Sequence, residues 1–134
     1  MIRLVRTVAR LALAWVFVRG GFDVLRNPDP RVKVAGGFID DLHAMVPFVP
    51  EDKELLVKFN ASVMVGSGLV LALGISPLSR LAALALCGSL VPTTLGGHPF
   101  WTHTDPAARA QQAIHFNKNL SMLGGLLFFA LEGP

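Results

Sequence analysis

Residues 55–95 read LLVKFNASVMVGSGLVLALGISPLSRLAALALCGSLVPTTL. Two apolar runs, Leu55 to Ile75 and Leu78 to Leu95, are parted only by Ser76-Pro77. Each approaches the about 20 apolar residues that a helix needs to cross hydrocarbon. Ser76 suits an N-cap and Pro77 the first helical position, so the spacing predicts a tight antiparallel helical hairpin.

Two further runs, Leu4 to Leu25 and Ala108 to Leu131, flank this pair. Lipid offers no water to backbone N–H and C=O groups, so runs of this length imply helices rather than open strands. The expected fold is all-α, a transmembrane four-helix up-down bundle occupying residues 1–134 as a single domain. Composition points the same way: 52% hydrophobic, 16% charged and a mean hydropathy of +0.54 are too apolar for a soluble domain of this size. A pI of 9.6 rests on a net charge of only +3, and with no basic-aromatic surface it gives no case for nucleic acid. Cys87 is the one cysteine, which excludes an internal disulfide and dithiol exchange within the chain. Arg3, Arg6 and Arg10 precede the run Leu11 to Val18 as in a signal peptide. No small-residue cleavage site follows and Arg19 is a poor neighbour for one, so a retained anchor is expected.

The connections from Arg26 to Glu54 and from Gly96 to Ala107 fall on one side of an up-down bundle. Within the first, Ile39, Leu42, Met45 and Val46 recur at helical spacing while Asp40, Asp41 and His43 take the other face, predicting a short amphipathic helix on the membrane surface. Phe100 and Trp101 suit an interfacial aromatic belt, and Asp105-Pro106 the start of the last helix. The density of arginine near the amino terminus places both termini of this multi-pass cell-membrane protein in the cytoplasm.

Polar side chains inside the runs carry the functional expectation, because an unpaired charge in hydrocarbon costs about 3 kcal/mol or more. Arg19 lies fifteen residues beyond Leu4, about 22 Å along a helix and toward the outer third of the bilayer. On the first helix Ala12, Trp15, Arg19, Asp23 and Arg26 share a stripe, with Arg3, Arg6 and Arg10 opposite; on the last, Gln111, His115, Lys118 and Met122 do, with Asn119 at the edge. The candidate ligand-binding set is therefore Arg19, Asp23, Asn60, Gln111, His115, Lys118 and Asn119, converging on one layer, and no catalytic residue is assigned. Competing structural roles exist for the charged residues and the histidine. Arg19 and Asp23 at i, i+4 can simply neutralise one another in a buried pair, Lys58 and Lys118 can snorkel, and a lone histidine can be a hydrogen-bonded core residue rather than a proton carrier. No metal is expected, because His98, His103 and Asp105 complete no recognisable ligand set. Gly20-Gly21, Gly66-Ser67-Gly68, Gly88-Ser89 and Gly124-Gly125 lack strand-turn-helix context and read as close helix packing, not nucleotide loops.

The stretch Gly97-His98-Pro99-Phe100-Trp101, then Asp105-Pro106, Gln111 and HFNKNLSMLGGLL from His115 to Leu127, resembles the carboxy-terminal half of the DoxX family of small four-helix membrane proteins. Arg19-Gly20-Gly21-Phe22-Asp23 looks like that family's first-helix motif. The family is named after a subunit of thiosulfate:quinone oxidoreductase, so the resemblance implies quinone-linked or thiol-linked redox at the membrane. It implies a non-autonomous oxidoreductase subunit that binds a quinone or similar amphiphile and works with a redox or sulfur-metabolism partner, within the lipid bilayer and open to homo-oligomer formation. No intrinsic cofactor is expected, since nothing in the chain marks a flavin, haem or iron-sulfur site. Cys87 departs from thiol chemistry by having no second thiol. The alternative is a non-catalytic membrane scaffold or assembly factor whose outer loops engage a partner; proton-coupled transport is disfavoured by the absence of internal repeats. With Cys87 replaced by Ala, single cysteines at positions 40 and 103 should react with an impermeant maleimide from the same side of the membrane; labelling from opposite sides overturns the topology.

Overall fold

Each break between apolar runs carries a residue that stops a helix. In the computed structural model, which describes residues 1–133, α1 (Ile2–Arg26) ends at Asn27 ahead of Pro28, where the proline ring disfavours helical backbone in the residue before it. α2 (Asp29–Met45) has Pro28 as N-cap and ends at Val46, ahead of Pro47. α3 (Lys53–Leu73) opens where the Asp52 carboxylate accepts the Leu55 N–H at 3.0 Å. It closes on Gly74 at φ 71°, a left-handed conformation that glycine adopts without a Cβ clash. α4 (Leu78–Gly97) has Pro77 as its cap and no side-chain cap; the expected Ser76 cap is not made, and the Ser79 hydroxyl instead donates to the Ile75 carbonyl at 3.1 Å. A 3-10 turn (Phe100–Thr102) precedes α5 (Pro106–Glu132), where Asp105 accepts the Ala108 N–H at 2.9 Å. The described residues are all-α and contain no strand.

α1 packs on α3, α3 on α4 and α4 on α5, while α5 meets α1 only along a short stretch. Two glycines set the α1–α3 approach: a Cβ on Gly21 would lie 2.7 Å from the Ala61 carbonyl oxygen, and one on Gly68 2.7 Å from a Val18 methyl. Gly66, Gly88 and Gly124 face open space instead, so the small-residue reading holds for some glycines and not for others. The apolar core, which includes Phe17, Leu71, Leu86 and Leu126, occupies the end of the molecule holding the α3–α4 turn. There Arg80 Nε donates to the Ala130 carbonyl at 2.8 Å and its Nη2 donates to that of Leu131, a cation placed on the unsatisfied acceptors of a helix C-terminus. Arg10 packs over Gly74 and is half-buried, not turned out with Arg3 and Arg6.

At the opposite end both long connections come together. α2 is longer than a surface-lying helix needed to be, and it packs against α3 and α4: Phe38 sits on Gly96, Arg31 beside Gly97, and Lys53 Nζ pairs with Asp40 at 2.7 Å. Gly96 and Gly97 leave the recess that admits it. Of its expected apolar face, Ile39 is buried and Leu42 half-buried, but Met45 and Val46 are exposed. Phe100 and Trp101 pack edge-on against Phe116 of α5, with centroids 5.3 and 6.0 Å away.

The outward surfaces of the long helices carry many large apolar side chains, with Trp15, Phe59, Leu84 and Phe128 all exposed. α3 and the helix that begins at Leu78 are long and apolar enough to cross a membrane. Gly68→Val should lower stability in detergent by about 1–3 kcal/mol through overpacking against α1, whereas Gly66→Ala, whose added methyl meets nothing, should be neutral or mildly stabilising. Equal melting of the two variants would show that the α1–α3 contact is not close.

Candidate functional site

The expected single polar layer resolves into separate clusters, two of which hold helices together. Asn60 on α3 donates through Nδ2 to Thr93 Oγ1 at 2.8 Å, and its Oδ1 accepts from Ser89 Oγ at 2.8 Å; Thr93 in turn donates to the Ser89 carbonyl at 2.8 Å. On the other side of α4, Asn119 Nδ2 donates to Thr94 Oγ1 at 3.1 Å, and Thr94 donates to the Leu90 carbonyl at 2.7 Å. Adjacent threonines thus take an amide from each neighbouring helix.

A third cluster lies where α1, α2 and the α4–α5 connection meet. His98 Nδ1 donates to Gln112 Oε1 at 2.8 Å, and its ring stacks on that of His115 at 5.1 Å with 22° between planes. Asp23, Arg31, His103 and these three side chains line a cavity of about 710 Å³. His98 sits in the connection past the end of α4. Desolvation there pushes its pKa below the ordinary histidine value, the Gln112 bond opposes this, and the neighbouring Arg31 adds to the lowering.

A second cavity, about 530 Å³ and predominantly apolar, opens between α2, α3 and α4. Phe38, Ile39 and Leu42 form its α2 wall, and Asn60, Ser89 and Thr93 its polar edge. The two cavities share Gly20, Val24, Arg31 and Gly97, so an apolar chamber and a polar one adjoin at a wall that carries a guanidinium. This size falls within the range of small-molecule sites, about 300–1,000 Å³.

Several expected placements are corrected. Arg19 and Asp23 do pair, at 3.2 Å, but their side chains are 58% and 51% exposed, so the pair is not buried. Ala12, Trp15, Arg19 and Arg26 of that stripe face outward, and Asp23, though exposed, borders the polar cavity, because α1 turns Ala14, Phe17 and Gly21 to its neighbours. With charged residues on opposite faces, α1 has no single apolar side, and its rotation is left to the residues small enough for close contact. On α5 the inward face is shifted by one position. Gln112 and Asn119 point in, whereas Gln111 and Lys118 are exposed; His115 keeps its place. Lys58 pairs with Glu54 at 2.5 Å on the surface of α3. The residues not anticipated, Ser89, Thr93, Thr94, Gln112 and Arg31, had one sequence signal: Thr93-Thr94 are hydroxyls inside an apolar run directly after Pro92.

The DoxX family model matches residues 5–103, close to three quarters of the chain. The chain belongs to the DoxX family. The match ends before α5, so the HFNKNLSMLGGLL stretch lies beyond it. This DoxX-family membrane protein is similar to the inner membrane protein YphA of Escherichia coli (strain K12), at 27% identity over 127 residues, covering 95% of this chain and 81% of that protein. No solved structure matches.

Two measurements check the site. Because the Arg19–Asp23 pair is exposed, Asp23→Ala and Asp23→Asn should melt alike in detergent; a clear loss confined to Asp23→Ala would mean a buried pair. His98 has a folded-state pKa below its unfolded value near 6.5, so its contribution is fully present above about pH 6.5 and is lost as pH falls through the folded value. The melting temperature should therefore drop less between pH 7.5 and 5 in His98→Gln than in the wild type.

Proposed function

We propose that this chain is a multi-pass subunit of the cell membrane that holds a quinone or similar amphiphile for a partner oxidoreductase. The observation that carries the reading is the pair of adjoining cavities, one apolar and one bearing imidazoles, a carboxylate and a guanidinium. An amphiphile needs both environments. Exposed Phe59, Ala85 and Gly88 leave the apolar cavity open sideways, which under this reading is toward lipid.

α1, α3, α4 and α5 all cross the bilayer in this reading, with their exposed apolar surfaces toward acyl chains. Arg10 and Arg80 lie at the end of the molecule that holds the termini, which supports a cytoplasmic position for that end. The name of the inner-membrane relative supports the same location.

The apolar chamber takes the ligand body, while Arg31, Gln112, His98 and His115 offer donors at the shared wall and in the polar chamber. Asp23 and His115 are the groups suited to exchange protons with that chamber. A bound quinone would supply two-electron redox chemistry; electrons have to reach it from a partner. Arg19, Gln111 and Lys118, turned outward, are assigned to the interface rather than to the ligand.

Organic extraction of the purified protein followed by mass spectrometry should recover quinone at near-stoichiometric yield. His115→Gln should fold and assemble yet lose most of the quinone-dependent activity per assembled complex, and Lys118→Met should retain it. Undiminished activity in His115→Gln, with no quinone in the extract, would replace this reading with the scaffold or assembly-factor role.

A further inference from the structure

The Arg31 guanidinium is a cation without a counter-charge. Its Nη1 lies 2.9 Å from the point that a Cβ on Gly97 would occupy, and Gly97 lines both cavities, so the charged end of the side chain, and not only its stem, is at the shared wall. Arg80 shows what an arginine does when it serves a helix C-terminus: it donates to the carbonyls of Ala130 and Leu131. Arg31 stands in the same relation to the end of α4. Yet among the described residues its guanidinium makes neither an ion pair nor a hydrogen bond, and none of its nitrogens is sealed off from the open space around it.

The acidic groups nearby do not neutralise it. Asp23, the carboxylate of the polar cavity, pairs with Arg19 at 3.2 Å, and Asp40 of α2 pairs with Lys53 at 2.7 Å; Asp29, two residues before Arg31, is exposed and makes no ion pair. The other ionisable groups of that cavity are imidazoles, His98, His103 and His115, and Lys118 bears on His98 together with Arg31. The C-terminus of α4 offsets only a fraction of a charge. A guanidinium cannot shed its proton to escape such surroundings, so this half-buried wall carries surplus positive charge against an apolar chamber.

We infer that the site also takes single-chain carboxylic acids, the ionised head paired with Arg31 and the tail in the apolar chamber, so that free fatty acid competes with quinone for it. A carboxylate accepts two parallel N–H bonds from the guanidinium fork and neutralises the charge, whereas a neutral carbonyl only hydrogen-bonds to it. A chamber of about 530 Å³ has the size of a small-molecule site rather than of a two-chain lipid. This rests on the amphiphile-site reading above and adds a competitor that would regulate that site.

Matched probes differing by one charge test it on the purified full chain in phosphatidylcholine nanodiscs, with binding to empty discs subtracted. At about pH 8, where the carboxyl group is ionised, dodecanoate should bind about tenfold tighter than methyl dodecanoate. Arg31→Met should bring acid and ester to within about twofold of one another by weakening the acid. Arg31→Lys keeps the charge without the fork and should fall between. Dodecanoate should also displace decylbenzoquinone from the wild type. The acid–ester comparison in the wild type needs no variant, so it decides even where Arg31→Met does not fold.

Equal binding of acid and ester to the wild type overturns the inference, as does an acid preference that survives in folded Arg31→Met. Decylbenzoquinone separates the two levels: if it binds while the acid shows no preference over the ester, the acid site fails and the amphiphile site stands. If dodecanoate shows its Arg31-dependent preference and decylbenzoquinone does not bind, the acid site stands and the quinone reading fails. If none of these probes binds, both fail. Displacement of dodecanoate by an equal concentration of acetate would reduce the site to a bare anion pocket, and displacement by a small fraction of phosphatidylglycerol in the disc would assign the charge to bilayer lipid; either result overturns the inference.

Discussion

Thr93 and Thr94 are the point on which the arrangement of α4 and its neighbours turns. Consecutive residues on a helix point about 100° apart, so one hydroxyl faces α3 and takes Asn60, and the next faces α5 and takes Asn119. Each bond contributes only about 0.5–1.5 kcal/mol. Their larger effect is on register, because an asparagine left without a partner in an apolar bundle is costly, and sliding either helix by one turn would strand it. Helices that are apolar on all sides have few other means of choosing a register.

The distribution of small residues then decides where the molecule is solid and where it is hollow. Gly21 and Gly68 bring α1 and α3 together, and the end with Phe17, Leu71 and Leu126 is filled. At the far end Gly96 and Gly97 admit Phe38 and Arg31 of α2, which spans the opening without filling it. The cavities are consequences of that bridging. They lie in the half of the molecule that contains Asn60, His98 and His115, so the polar side chains are both the means of holding α3, α4 and α5 together and the lining of the space between them.

Pro92 connects these two roles. It removes one rung of the α4 ladder beside the Asn60 cluster, and the hydroxyls that might have compensated are already donating elsewhere. A helix built for rigidity alone would have carried an alanine at that position.

What the sequence by itself determined is the part governed by local chemistry and by composition. Runs of apolar residues, Asp105-Pro106 at a helix start and the Ser76-Pro77 break set the long helices and the short turn between α3 and α4, since these depend on the backbone's own hydrogen-bonding needs. The pairing of Arg19 with Asp23 was legible too, because i, i+4 neighbours meet on any helix. Rotation was not. α1 carries charged residues on opposite faces and apolar ones between them, so no periodicity pointed to Ala14, Phe17 and Gly21 as its inner face, and on α5 two consecutive glutamines left Gln111 and Gln112 equivalent until His98 was placed beside one of them. Only the tertiary structure decided that Arg19 and Lys118 turn outward, that α2 folds in against Gly96 and Gly97, and that Asn60 and Asn119 meet hydroxyls on α4. These contacts join residues 25 or more positions apart, and a chain read one helix at a time contains no term for them.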